Sequence, residues 1–295
     1  MLRYRADVKA LLWMAMTTAL FFYLWQSTAT NWWAYAAFLY FSISVSIMAH
    51  NHNHVRMWPG KTLNLLTDVW ITIFYGFPVF GWIPTHNKNH HKHNNRKPDH
   101  THTWRFWEAN NLLTIIAYPA ISGYYQQKAI AKYLGDVRRG NRPVFIACMI
   151  QIVSLITWLG VAFVLDWRKA LLFVVLPQQV SLNTVLVFNY IQHVHADEED
   201  DWNHSRNVTG WMMNFLYFNN GLHTVHHLKP GLHWSLAPAA HREIESKIDP
   251  ALNEPSFLWY LLRAYVLSLF IPSFRTDSLR ARRRQLAEAQ VSQAH

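Results

Sequence analysis

Apolar residues run in long blocks along this chain, separated by stretches crowded with His, Asn, Lys and Arg. A helix needs about 20 mostly apolar residues to cross a bilayer. Four blocks meet that need, at residues 10–27, 32–50, 143–165 and 170–190. The pattern predicts an all-α integral membrane protein with four transmembrane helices. The first block opens like a secretory leader, but it runs on too far and lacks a small-residue cleavage pattern, so it reads as a retained span.

Three other apolar patches are interrupted. Val69–Pro84 contains Gly76, Pro78, Gly81 and Pro84; the stretch from Asn111 to Tyr125 contains Pro119; Phe257–Pro272 carries Arg263 in its middle. These read as helices lying in the membrane interface or packed under a polar cap. Gln178, Gln179 and Asn183 fall inside the fourth block, where lipid exposure is costly, so they are expected to face other helices or a substrate tunnel. Residues 1–275 are expected to form one domain and 276–295 a basic, loose tail.

Charge then orients the spans. The net charge is +10, but the basic residues sit between apolar blocks, which argues against nucleic acid as the partner. Arg3, Arg5 and Lys9 precede the first block; Arg56, Lys88, Lys92, Arg138 and Arg139 lie between the second and third; Arg206, Lys229 and the run Arg280–Arg284 follow the fourth. The two remaining links are short, and the first, Gln26–Asn31, carries no charge. The positive-inside rule places both termini and both long polar stretches in the cytoplasm. The one cysteine, Cys148, excludes an intrachain disulfide and any cysteine-built iron–sulfur or zinc site, and reads as core filler.

The 18 histidines sharpen the picture. His50 and His54 stand four apart where the second block ends, so they share a helical face from which His52 points away. His86, His90 and His91 form a second group; His193 and His195, four and six residues after Asn189, form a third; His223, His226 and His227 form a fourth. By the orientation above, all four groups lie on one membrane face. A structural zinc site uses four ligands and usually includes cysteine. Nine histidines at helical spacing suit two ions with four or five nitrogens each, a dinuclear centre. Solvated polar loops or a loose metal sink are the plainer alternatives, and four groups at four span ends speak against them. His93, His100, His102, His204, His233, His241 and His295 are expected to support ligands or sit at the surface.

H-x-x-x-H, H-x-x-x-H-H, a lone His and H-x-x-H-H, interleaved with four spans, resemble the membrane fatty acid desaturase family, which includes acyl desaturases and related lipid and carotenoid hydroxylases. The resemblance runs over residues 10–245, and Gly231–His241 resembles the stretch after the last box in bacterial members. It implies a cytosolic helical cap holding two iron ions, with His50, His54, His86, His90, His91, His193, His223, His226 and His227 as ligands. His193 and His195 compete for the lone-ligand role, and the Asn189 spacing favours His193; Asn189 would support the site through a water. Asp197, within the acidic run Asp197–Asp201, and Asn219 are candidates for orienting ligands, with a solvated acidic loop as the alternative. The second box has three residues before its His pair where many desaturases have two, and no haem motif of a fused cytochrome b5 domain is present.

The resemblance implies an O2-dependent oxidoreductase that desaturates a fatty acyl lipid or free fatty acid in a bacterial inner membrane. A separate electron donor of ferredoxin, rubredoxin or cytochrome b5 type would serve it. Hydroxylation and terminal-alkene-forming decarboxylation share the first hydrogen abstraction and stay open. The basic patches at Lys92, Arg96, Lys97 and Arg138–Arg142 would meet an acidic carrier, an anionic acyl headgroup or membrane lipid. A membrane metal transporter is the alternative of another class. It predicts ligands inside the spans, whereas these histidines lie at span ends and the four blocks hold no Asp or Glu.

Overall fold

The computed structural model describes residues 1–293, and His295 lies outside the described residues. The regular elements among the described residues are helices apart from one pair of two-residue strands, Asn207–Val208 and Asn253–Glu254, which run parallel. Four helices are long and apolar enough to cross a membrane: Arg5–Gln26, Trp32–His54, Arg142–Leu165 and Trp167–His193, with 22, 23, 24 and 27 residues. At about 1.5 Å per residue each exceeds the roughly 30 Å of a hydrocarbon core. We call them the first to fourth spans.

Their starts are written in the sequence. The Asn31 side chain accepts from the Trp33 and Ala34 amides at the head of the second span, and Asn141 accepts from Val144 at the head of the third. Asp166 separates the third and fourth spans and accepts from Arg168 and Lys169. Each carboxamide or carboxylate thereby satisfies amide donors that the first turn leaves open.

By its internal contacts the chain divides into two compact units, residues 1–88 with 127–185, and residues 89–126 with 186–295. In the first unit the spans are tied by aromatic packing and a few polar bonds. Phe21 of the first span meets Trp158 of the third with ring centroids 5.0 Å apart. Gln178 donates to the Ile73 carbonyl at 2.8 Å and Ser181 to the Ser42 carbonyl at 2.6 Å. Gln178 therefore faces neighbouring helices as expected. Gln179 and Asn183 do not: both lie on the exposed face, and Asn183 donates to the Gln179 carbonyl of its own helix at 2.7 Å. Residues four apart share a face, so Asn183 satisfies its amide one turn back and needs no second helix.

The interrupted patch at Val69–Pro84 forms a sharp bend. Helix Lys61–Tyr75 ends on Gly76, at φ +79°, and the chain resumes at Val79 in a direction 94° away. Also in the first unit, a Cβ on Gly76 would come within 2.5 Å of Gln178 Cβ, so only glycine fits. A π-helix, Ile83–His90, follows.

In the second unit, two apolar clusters hold the polar segments together. Tyr118, Tyr190, Ile191, Val194, Tyr260 and Tyr265 belong to one. Leu222, Val225, Ala240, Ile244, Ile248 and Leu252 belong to the other, which backs the helix His223–Leu228. The stretch expected to break at Pro119 is instead one continuous helix, Leu112–Gly140, with Pro119 buried inside it. Packing outweighs the lost hydrogen bond there, since Ile115 and Tyr118 anchor this helix in the tyrosine-rich cluster.

The residues after Arg275, expected to be loose, are also ordered into structure: Leu279–Gln293 is a helix and Arg280 is 1% exposed. Distant acidic partners supply what the local composition lacks. Arg280 Nη1 donates to Glu198 at 2.7 Å, and Arg283 Nε donates to Asp197 at 2.7 Å.

Candidate metal centre

The last turn of the second span carries His50 and His54 on one face, and the π-helix brings His86 beside them. The three rings stand 4.7, 5.0 and 5.1 Å apart by centroid, all in the first unit. Trp82 covers this group, 5.0 Å from His86. His52 turns away, as its helical position requires. Its Nδ1 accepts from the Met57 amide and its Nε2 lies 3.4 Å from Asp68.

The second unit gathers His90, His193, His223 and His227, each offering a nitrogen within 4.8 Å of the others. His193 is the final residue of the fourth span, while His223 and His227 lie one turn apart on the short helix His223–Leu228. The Nε2 atoms of His193, His223 and His227 form a near-equilateral triangle with sides of 3.0, 3.1 and 3.1 Å. His91 and His226 make a separate pair with Nε2 atoms 3.0 Å apart.

That triangle tests whether a cation belongs there. Each Nε2 carries either a proton or a lone pair. Of three such atoms, at least two must be alike, and a like pair at this distance repels. Three hydrogen bonds therefore cannot close the triangle, whereas a cation accepting all three lone pairs can. Imidazole–metal bonds of about 2.1 Å put nitrogens on one ion about 3 Å or a little more apart, and the spacing here matches that. The chemistry of the donor set agrees: burial, and then the crowd of His91, His223, His193 and His90, holds the His227 imidazole well below its ordinary pKa, in the neutral form a metal needs.

Buried partners orient these rings. His90 Nδ1 lies 2.7 Å from Asp99 Oδ2, with both side chains sealed from solvent. Burial alone would raise the Asp99 carboxyl. The adjacent His90 imidazole and the Thr101 hydroxyl and amide outweigh it and hold the carboxyl well below the usual carboxylate range. His193 Nδ1 donates to the His204 carbonyl at 3.2 Å, which leaves Nε2 in the triangle. Asn189 reaches the site through protein atoms: its amide donates to the Tyr118 hydroxyl at 2.6 Å, and Tyr118 donates to the Thr101 carbonyl at 2.6 Å.

The other candidates stand further out. His195 has both ring nitrogens engaged, Nε2 donating to the Glu108 carbonyl at 2.7 Å and Nδ1 accepting from Thr276 at 2.8 Å. His193, and not His195, lies in the cluster. Asp197 binds Arg283 rather than a ligand imidazole. Asn219 sits at φ +56° in the turn before His223 and donates to the Trp234 carbonyl. His102 Nδ1 donates to the Asp99 carbonyl at 2.6 Å, and His233 caps the turn Trp234–Leu236.

Sequence reasoning missed Asp99, Thr101 and Tyr118. Asp99 follows the Lys97-Pro98 pair, nine residues after His90, and no helical period links the two. A carboxylate within a histidine-rich loop is the one local signal, and the acidic run at Asp197 drew that role instead.

A profile of the family described as fatty acid desaturase matches residues 27–254. A search of curated proteins and a search of solved structures each found no match. The matched region contains all nine candidate histidines and three of the four spans, and the chain belongs to the fatty acid desaturase family.

Proposed function

We propose that this chain is a membrane-bound oxidoreductase that uses O2 to desaturate a fatty acyl chain, with two iron ions held by His50, His54, His86, His90, His91, His193, His223, His226 and His227. The observation that carries this reading is the triangle of Nε2 atoms from His193, His223 and His227, which hydrogen bonds alone cannot close, in a chain of this family. When bound, the irons would supply dioxygen activation and hydrogen abstraction from an unactivated C–H bond. The overall balance is a CH2–CH2 unit, O2, two electrons and two protons giving CH=CH and two waters.

The chain's own residues prepare for that chemistry. Asp99 and the His204 carbonyl fix the His90 and His193 rings so that the opposite nitrogens converge. Burial favours the neutral form of the His227 imidazole. The positive-inside arrangement puts the histidines on the cytoplasmic side, where a soluble electron donor of ferredoxin, rubredoxin or cytochrome b5 type has access. The exposed Arg138, Arg139 and Arg142 offer it a basic surface, or offer one to membrane lipid.

The test is mass spectrometry of lipids and free fatty acids from cells expressing the chain, with His226→Ala as control, beside iron per purified chain. Desaturation predicts a new double bond in the wild type alone and close to two irons per chain. An added oxygen would reassign the chain to lipid hydroxylation, and a lost carboxyl carbon to terminal-alkene formation. Unchanged lipids with metal movement across vesicles would make it a transporter.

A further inference from the structure

We propose that the segment Thr276–Arg283 is a positioning clamp for the ligand His193, acting through the turn at His195. The inference rests on the reading of His193 as a metal ligand.

The fourth span stops at His193, so carbonyls at and just beyond its end need partners from elsewhere. Four of them find one in the second unit. Gln192 O accepts from the Arg206 amide at 2.6 Å, His193 O from Asn95 Nδ2 at 3.3 Å, Val194 O from Arg206 Nη2 at 3.3 Å, and His195 O from the Leu279 amide at 3.0 Å. The stop itself is made by His195, which has φ +61°, a left-handed conformation that a histidine does not adopt cheaply. Something must hold it there.

The residues after Arg275 do so from two directions. Thr276 donates to His195 Nδ1 at 2.8 Å, and Leu279 N takes the His195 carbonyl. The ring's other nitrogen is fixed by the Glu108 carbonyl at 2.7 Å. Glu108 is in turn fixed by the same segment: Arg280 Nε and Nη2 donate to its carboxylate at 3.0 and 2.9 Å, and Ser278 at 2.8 Å. Arg280 Nη1 continues to the buried Glu198, and Arg283 holds Asp197 at the far side of the turn. Arg280 and Glu198 are 1% and 3% exposed, so neither has water to fall back on. The segment thus grips the loop from His195 to Glu198, two to five residues after the ligand. None of its residues touches the histidine triangle. They position the backbone from which His193 projects.

The experiment compares the full-length protein with Thr276→Val, which removes one hydroxyl at near-constant volume, and with Arg280→Ala and Arg280→Lys. Two quantities are read: the half-time of iron loss to an external chelator, and the thermal midpoint of the metal-free protein. The clamp predicts iron loss about tenfold faster in Thr276→Val, toward the low end for groups that orient metal ligands, with the metal-free midpoint lowered by only about 2–4 °C, as one lost hydrogen bond would do. Arg280→Ala should lose iron faster still, and Arg280→Lys should recover part of the retention. Equal half-times in wild type and Thr276→Val overturn the proposal. So does a larger fall in the metal-free midpoint of Thr276→Val, because a general loss of stability then explains the faster loss. A wild type that holds no iron overturns the metal reading itself, and the clamp with it.

Discussion

His90 Nδ1 and Asp99 Oδ2 lie 2.7 Å apart in a pocket where neither side chain meets solvent. The carboxylate also accepts from the Asn95 and Thr101 amides and the Thr101 hydroxyl. An anion held by that many donors keeps its orientation, and so keeps the His90 ring in the tautomer whose Nε2 carries the lone pair that a metal would take.

Asp99→Asn keeps the shape but removes the charge that makes His90 a stronger donor. Metal affinity is expected to fall by about 10–100-fold with the helical content intact. Competition with a calibrated chelator and circular dichroism check the two halves, and unaltered affinity would remove Asp99 from the site.

His226→Ala removes one of two rings whose Nε2 atoms are 3.0 Å apart. The variant is expected to reach the membrane in normal amount, to carry less iron per chain and to give no altered lipid. Normal turnover would take His226 out of the ligand set. The matching change at His195 removes no ligand but loosens the turn held by Glu108 and Thr276, so this variant should still load iron and lose it faster than wild type.

Gly76→Ala meets two penalties at once, a φ of +79° and a Cβ 2.5 Å from that of Gln178. A loss of about 1–3 kcal/mol is expected from the backbone alone, with the contact adding to it. Thermal unfolding in detergent measures it. A variant as stable as wild type would mean that the bend between Tyr75 and Val79 is not fixed by this residue.

His204 gives a pH signature in the metal-free protein. Burial, the largest influence, pushes its imidazole down to about 4. Above the ordinary imidazole value of 6.5 both folded and unfolded forms are neutral and its contribution is complete. As pH falls from 6.5 towards 4 the unfolded chain binds a proton that the folded one refuses, and stability is lost, by at most about 3 kcal/mol. Unfolding free energy measured across that window should fall less steeply in His204→Gln than in wild type. Parallel profiles would refute the assignment.

Much of this was legible from the residues in order. Span length is local: a run of apolar residues either reaches across a bilayer or does not, and the four helices follow the four blocks closely. The caps Asn31, Asn141 and Asp166 stand at the breaks, because an orphaned amide is satisfied by a side chain two or three residues away. Helical spacing also placed His50 with His54 and His223 with His227.

What lay beyond that reach has a common cause. His86 and His90, four apart, look like one face, yet they stand in different units, His86 beside His50 and His54 and His90 beside His193. The π-helix carrying both bonds each amide to the carbonyl five residues back, a register the composition does not announce. Pro119 stays inside a helix and Arg280 is buried because their partners, Tyr190 for the one helix and Glu198 for the other, come from about 70 to 80 residues away. The sequence by itself determined the four long apolar helices and which residues could bind metal, since span length and donor chemistry are written locally. The tertiary structure decided which histidines share a cluster and which carboxylate orients them, because contacts between distant residues are chosen by packing as a whole.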